Sequence, residues 1–166
     1  MSVDLYGTHQ EYLKAVVDFK GKFSNSVEFG MGDFSTSFLI ENSDKCVSIE
    51  MQSSDWYNKM VEKFGKNEKW TPYSMMGPME FLKIQYDQAI DFAFVDGHGD
   101  SRPECINFMM EKKCPIIMSH DTEAETYGWK RVLKNDYKRL DFTKHENWTS
   151  IWTLDKELYD YMCDLY

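Results

Sequence analysis

The sequence predicts an α/β fold: a mostly parallel sheet with helices on both faces and an antiparallel hairpin at the C-terminal end. Three observations carry this. Short apolar runs recur at residues 26–28, 46–50, 92–96 and 115–119, each separated from the next by a helix-length stretch. Strands that alternate with helices in this way form a parallel sheet covered on both sides. Two later runs, 137–142 and 148–153, are separated only by a short polar link and are expected to pair antiparallel.

In chain order, Thr8-His9-Gln10-Glu11 has the form of a capping box and opens a helix to about Lys20, with Tyr12, Leu13, Val16 and Val17 on one face. The first strand, 26–28, leads into Gly30-Met31-Gly32, and Ser35, Thr36 and Ser37 are placed to cap a helix running to about Asn42. The second strand ends at Glu50. Ser53 or Ser54 starts a helix carrying Trp56, Tyr57, Met60, Val61 and Phe64, closed by Gly65. Residues 70–74 form a short third strand, and Pro78 starts a helix through about Leu82. After the fourth strand comes the polar loop Gly97-His98-Gly99-Asp100, then Ser101-Arg102-Pro103-Glu104, a second capping box opening a helix to about Lys112. A helix with Tyr127, Trp129, Val132 and Leu133 follows the fifth strand. The last helix, 156–165, places Leu158, Tyr159, Met162 and Leu165 at helical spacing.

Length and charge narrow the functional classes. A chain of 166 residues is expected to be a single domain, burying roughly 70% of its unfolded surface. A formal charge of −9 with scattered Lys and Arg argues against a nucleic-acid surface, which needs clustered cations. No export signal and no run of 18 apolar residues is present, so neither secretion nor membrane insertion is expected. The cysteines at 46, 105, 114 and 163 make no zinc pattern and suit free thiols in a reducing cytoplasm.

The chemistry gathers at the strand ends, where open parallel sheets bind ligands. Two glycines after Glu28 permit a sharp turn with no Cβ between backbone and ligand. Glu50, twenty residues after Gly30, is placed to accept hydrogen bonds from a ribose diol. Asp96 and the pair His120-Asp121 end the fourth and fifth strands. Each acid could instead cap its own helix, His120 could be a satisfied core histidine, and His98 a solvated loop residue. His9 and His145 carry no expected role.

These motifs resemble the class I S-adenosylmethionine-dependent methyltransferase family, over about residues 26–153. The resemblance implies a Rossmann-like sheet and a set of donor-binding residues. Glu28-Phe29-Gly30-Met31-Gly32 is similar to the acidic-x-Gly-x-Gly signature, with Glu28 near the methionine amino group and Gly30, Gly32, Ser35 and Thr36 along the turn. Glu50 sits where the family holds the ribose, Met51 beside the adenine, and Ser74-Met75 at the adenine edge, with Asp96 and His98 closing the pocket. Val95-Asp96-Gly97-His98 with Ser119-His120-Asp121 resembles a "DGxH … HD" subset of sugar and small-molecule O-methyltransferases, compact relatives of which are phage-like.

The implied reaction is methyl transfer to the hydroxyl of a small molecule or glycan. His120 serves as base, oriented by Asp121, with Asp96 beside it; Asp96 and Asp121 could together hold Mg²⁺. A third fingerprint glycine is absent, Phe34 lying near its place, which counts against a nicotinamide-dependent reductase. Asp96-Gly97-His98-Gly99 is not the Asp/Asn-Pro-Pro-Tyr of amino-methylating nucleic-acid enzymes, and Cys114-Pro115 reverses the Pro-Cys order of cytosine-carbon enzymes. With no inserted lid segment, a specificity element is either missing or supplied by a second subunit in a homo-oligomer. A binding module that keeps the fold and the nucleoside but not catalysis is the alternative.

Overall fold

The computed structural model describes residues 7–77, 79–86 and 88–166. Seven strands form one sheet in the order β3-β2-β1-β4-β5-β7-β6. The strands are β1 (Phe23–Phe29), β2 (Ser43–Glu50), β3 (Trp70–Ser74), β4 (Phe92–Val95), β5 (Ile116–His120), β6 (Lys138–Phe142) and β7 (Thr149–Thr153). The first five are parallel to their neighbours; β7 runs antiparallel between β5 and β6. The order reverses between β1 and β4, and chain leaving these two strands in opposite directions opens a crevice at their carboxyl ends.

Side chains alternate across the sheet, as strand geometry requires. Phe92, Phe94, Ile116 and Met118 face one core with α1 (Gln10–Lys20), α2 (Ser35–Glu41), α3 (Ser54–Phe64) and α5 (Lys156–Leu165). Ala93, Val95 and Ile117 face a second core beneath α4 (Arg102–Glu111), with Phe81, Ile106 and Met109. The first face is thus covered by four α-helices, the second by one helix and several 3₁₀ turns. Among the described residues no helix is long and apolar enough to cross a membrane, and Cys46, Cys105, Cys114 and Cys163 are free thiols, the last exposed.

Local signals succeeded where one side chain serves one end. The Ser53 hydroxyl accepts from the Trp56 N–H, and Gly65 ends α3 with φ +62°. Asp155 caps α5 in the same way through the Leu158 N–H. Elsewhere tertiary partners took the capping groups. Thr8 and Ser101 make no cap: the Thr8 hydroxyl contacts His120, and Ser101 donates to the His98 carbonyl. Nor does a hydroxyl cap α2, whose N-cap is Phe34; Ser35 and Thr36 donate to Glu28 instead.

The helix expected around Tyr127 is not formed. Two 3₁₀ turns, Glu125–Tyr127 and Trp129–Arg131, flank Gly128 at φ +76°, a left-handed break that α-helix does not accommodate. The helix expected from Pro78 is a 3₁₀ turn over Glu80–Lys83, Pro78 itself lying outside the described residues.

Candidate functional site

Along the β1–β2 side of the rim, the acids are used internally. Glu28 is fully buried; Ser35 Oγ donates to its Oε1 at 2.5 Å, and Thr36 Oγ1 and Ser48 Oγ to its Oε2 at 2.7 Å each. Thr36 Oγ1 in turn accepts from the Gly32 N–H. The carboxyl therefore underpins the glycine turn from below and is not part of the cavity lining. Burial pushes its pKa up to about 7, against the pull of the three hydroxyls.

Glu50 is also buried, accepting from the backbone N–H of Met31 on Oε2 and of Gln52 and Ser53 on Oε1. A carboxylate has about four lone-pair sites, so Oε2 keeps one acceptor position.

The glycines are needed for packing of the protein on itself. A Cβ at Gly30 (φ +88°) would meet the Asp96 carbonyl oxygen and the Gly97 backbone at 2.5 Å. Met51 is buried in the second core, its sulfur against Gly97, and Ser74 and His98 are exposed. The expected adenine neighbours Met51, Ser74, Met75 and His98 do not line the cavity described next.

On the β4–β5 side the acids face open space. A cavity of about 590 Å³ lies at the parting of β1 and β4, walled by Gly32 and Ser35 from the turn, Gln52 and Trp56 from the start of α3, and His9, Asp96, Arg102, His120, Asp121 and Asn147. Its size is that of small-molecule pockets. Arg102 organises this wall while itself 5% exposed. Nε donates to the Gly97 carbonyl, and Nη1 to the His120 carbonyl at 2.6 Å and to Asp121 Oδ2 at 3.3 Å. Nη2 pairs with Asp96 Oδ1 at 3.1 Å, and the guanidinium stacks over Tyr127.

His120 Nδ1 lies 3.6 Å from both Asp96 Oδ1 and Asp121 Oδ1, while its Nε2 is 2.8 Å from Thr8 Oγ1. Burial alone would push the imidazole pKa down, but the close approach of Asp96 and the charge of Asp121 outweigh it and the net shift is upward. For Asp96, burial raises the pKa, and His120, Arg102 and His9 together bring it below the ordinary carboxylate range.

Asp121 adopts φ +55°, a left-handed conformation that Asp tolerates better than most residues. Its oxygens are taken by Arg102 and by the Asn147 amide at 2.7 Å, so it orients His120 and has little capacity left for a metal.

The expected trio Asp96, His120 and Asp121 is therefore brought together, and Gly32 and Ser35 join it across the cavity. Glu28, Gly30 and Thr36 lie behind the wall as supports; Glu50 is buried at its edge, with one acceptor position left on Oε2. Arg102, expected only as part of a capping box, and His9, expected to carry no role, line the cavity as well. An isolated Arg among strand-end acids was the available signal for the first; nothing local marks the second, which meets its partners only through the fold.

No protein-family model matches the chain, and no curated protein matches it in sequence. Solved structures match in fold. An O-methyltransferase from Bacillus cereus in complex with S-adenosylhomocysteine superposes with TM-score 0.67 at 16% identity, covering 88% of this chain and 80% of that one. The O-methyltransferase TomG from Streptomyces achromogenes, in complex with S-adenosylmethionine, gives 0.62 at 13% identity, with 93% and 92% covered. The N-methyltransferase NodS from Bradyrhizobium japonicum, in complex with S-adenosylhomocysteine, gives 0.62 at 12%, with 87% and 84% covered. At these identities the likeness is one of fold, the Rossmann-like fold of class I methyltransferases.

Proposed function

We propose that this chain is an S-adenosylmethionine-dependent methyltransferase acting on a hydroxyl of a small molecule or glycan. The observation that carries the reading is the cavity at the β1/β4 parting, with the glycine turn on one wall and the Asp96–His120–Arg102 cluster on the other. Neighbours of the same fold hold the donor or its product, and the "DGxH … HD" pattern agrees. The residues fit the donor at its charged end, where Gly32, Ser35 and Gln52 line the cavity, and at the ribose, where Glu50 Oε2 keeps an acceptor position. The bound donor supplies an activated methyl on a sulfonium.

The chain's own contribution is to align an acceptor oxygen and take its proton. Asp96 is the accessible member of its pair, its side chain 25% exposed against 4% for His120. Asp96 therefore meets the acceptor and takes its proton, and the His120 imidazole behind it, held by Asp121, can accept that proton on Nδ1. Mg²⁺ through Asp96 and Asp121 is not favoured, because Asp121 is already paired and the neighbouring donors are nitrogens.

Calorimetry with S-adenosylmethionine tests the reading. Glu50→Gln should weaken binding by about 1–3 kcal/mol, the scale of a charged hydrogen-bond partner lost. No heat for the wild type at millimolar donor would sink it. One observation favours a non-catalytic binding module instead: both ring nitrogens of His120 already face protein groups. That alternative predicts donor binding without S-adenosylhomocysteine formation in a broad acceptor screen.

A further inference from the structure

We propose that His9, Asp96 and His120 form a binding site for a divalent transition-metal ion of the Zn²⁺ type. Each offers one donor atom, and these atoms lie within 4.8 Å of one another, the one such group among the described residues. They come from three separate places: the residue before α1, the residue after β4 and the last residue of β5.

The donor set selects the ion. Two imidazoles and one carboxylate suit Zn²⁺ and its late first-row neighbours, whereas Mg²⁺ prefers oxygen throughout. The outer contacts are those of a ligating histidine. Thr8 Oγ1 lies 2.8 Å from His120 Nε2 and 3.3 Å from the Asn147 carbonyl; with its proton on that carbonyl it accepts the ring N–H. In the neutral ring this leaves the lone pair on Nδ1, aimed at Asp96 Oδ1 3.6 Å away. Two lone pairs facing each other repel unless a proton or a metal cation lies between them. A ligating imidazole held by its other N–H is the usual means of fixing tautomer and orientation.

Charge and reach agree. With His120 neutral, Asp96 and Asp121 against the single guanidinium of Arg102 leave one net negative charge to be neutralised. A tetrahedral ion with bonds of about 2.1 Å needs donor atoms about 3.4 Å apart, so binding draws the widest pair in by at most about 1.4 Å. Three protein ligands leave a fourth position, and all three residues line the cavity, so that position opens toward it. An acceptor hydroxyl bound there would be acidified by the ion. This use of the site rests on the proposed methyl transfer; ion binding itself does not.

The test uses chelator-treated, dialysed protein without any methyl donor. Co²⁺ should give the intense visible absorption of a four-coordinate ion, and Zn²⁺ should displace it; Mg²⁺ should not. His9→Ala and His120→Ala should each weaken Zn²⁺ binding by roughly 100-fold or more, and Thr8→Val by about 10-fold. His145→Ala should leave it unchanged. Zn²⁺ should also raise the melting temperature of the wild type, a readout that needs no variant to fold. Weak, pale Co²⁺ binding that His9→Ala does not alter, or no thermal shift with Zn²⁺, overturns the site. Zn²⁺ held at these residues by a protein that ignores S-adenosylmethionine keeps the metal site and removes the methyltransferase reading. Donor binding with no Zn²⁺ affinity does the reverse.

Discussion

The two halves of the rim use acids of the same kind in opposite ways. At β1 and β2, Glu28 and Glu50 are buried and satisfied by neutral donors, three hydroxyls for one and three backbone N–H groups for the other. At β4 and β5, Asp96 and Asp121 remain partly exposed, pair with a guanidinium and an imidazole, and border open space. The first half closes its acids around the turn; the second leaves charge beside open space. An acid at a strand end is therefore not a ligand by position alone. Its remaining lone pairs and its access to the cavity decide.

The largest effect should come from removing the guanidinium of the second half. Arg102→Met leaves two neighbouring carboxylates without their shared counter-charge, and urea unfolding should show a loss of about 3–5 kcal/mol. Arg102→Lys should recover only part of it, because one ammonium cannot serve Asp96, Asp121 and two carbonyls together. A loss below about 1 kcal/mol would mean the cluster is not organised by this residue.

The first half should be sensitive to pH. Glu28 is raised to about 7 in the fold, above its ordinary 4.5, so between those values the native state holds a proton that the unfolded chain has lost. Stability contributed by this group is full below about pH 4.5 and declines as pH rises to about 7, by about 3 kcal/mol in all. Glu28→Gln, which does not titrate, should flatten that slope in denaturant titrations across the same range. An unchanged slope would show that the carboxyl ionises at its ordinary pKa.

The seam between the halves is Gly30. Gly30→Ala combines φ +88° with backbone atoms at 2.5 Å and should cost about 2–3 kcal/mol. Gly21→Ala, at φ +78° but with nothing within 4 Å, should cost only about 1 kcal/mol. Equal melting temperatures for the two variants would remove the packing argument. The smallest effect is expected for Lys63→Ala, which breaks an exposed ion pair with Asp33 beside the turn and should move stability by less than about 0.5 kcal/mol.

Much of this architecture was legible in the residues, and the reasons differ from element to element. α3 and α5 announce themselves through apolar spacing and a cap whose only job is local. The third strand, Trp70–Ser74, and the strand-end positions of Glu50 and Asp96 follow from short apolar runs bounded by polar residues. The failures are side chains with two possible employers. Thr8, Ser35, Thr36 and Ser101 carry the chemistry of helix caps, and each is drawn to a partner brought by another part of the fold. The helix expected at Tyr127 failed because Gly128 turned left-handed while Tyr127 packed on Arg102 and Trp129 on Trp152.

Periodicity and turn chemistry act over a few residues, so the order of elements, the glycine turn and the placing of acids at strand ends were written in the chain. Which of those acids faces a cavity and which is closed off by hydroxyls was not. That depends on pairs such as Glu28 with Ser48, Arg102 with Asp121 and His9 with His120, whose members are distant in the sequence. Burial and charge compensation are properties of the assembled space between strands, and only the folded chain sets them.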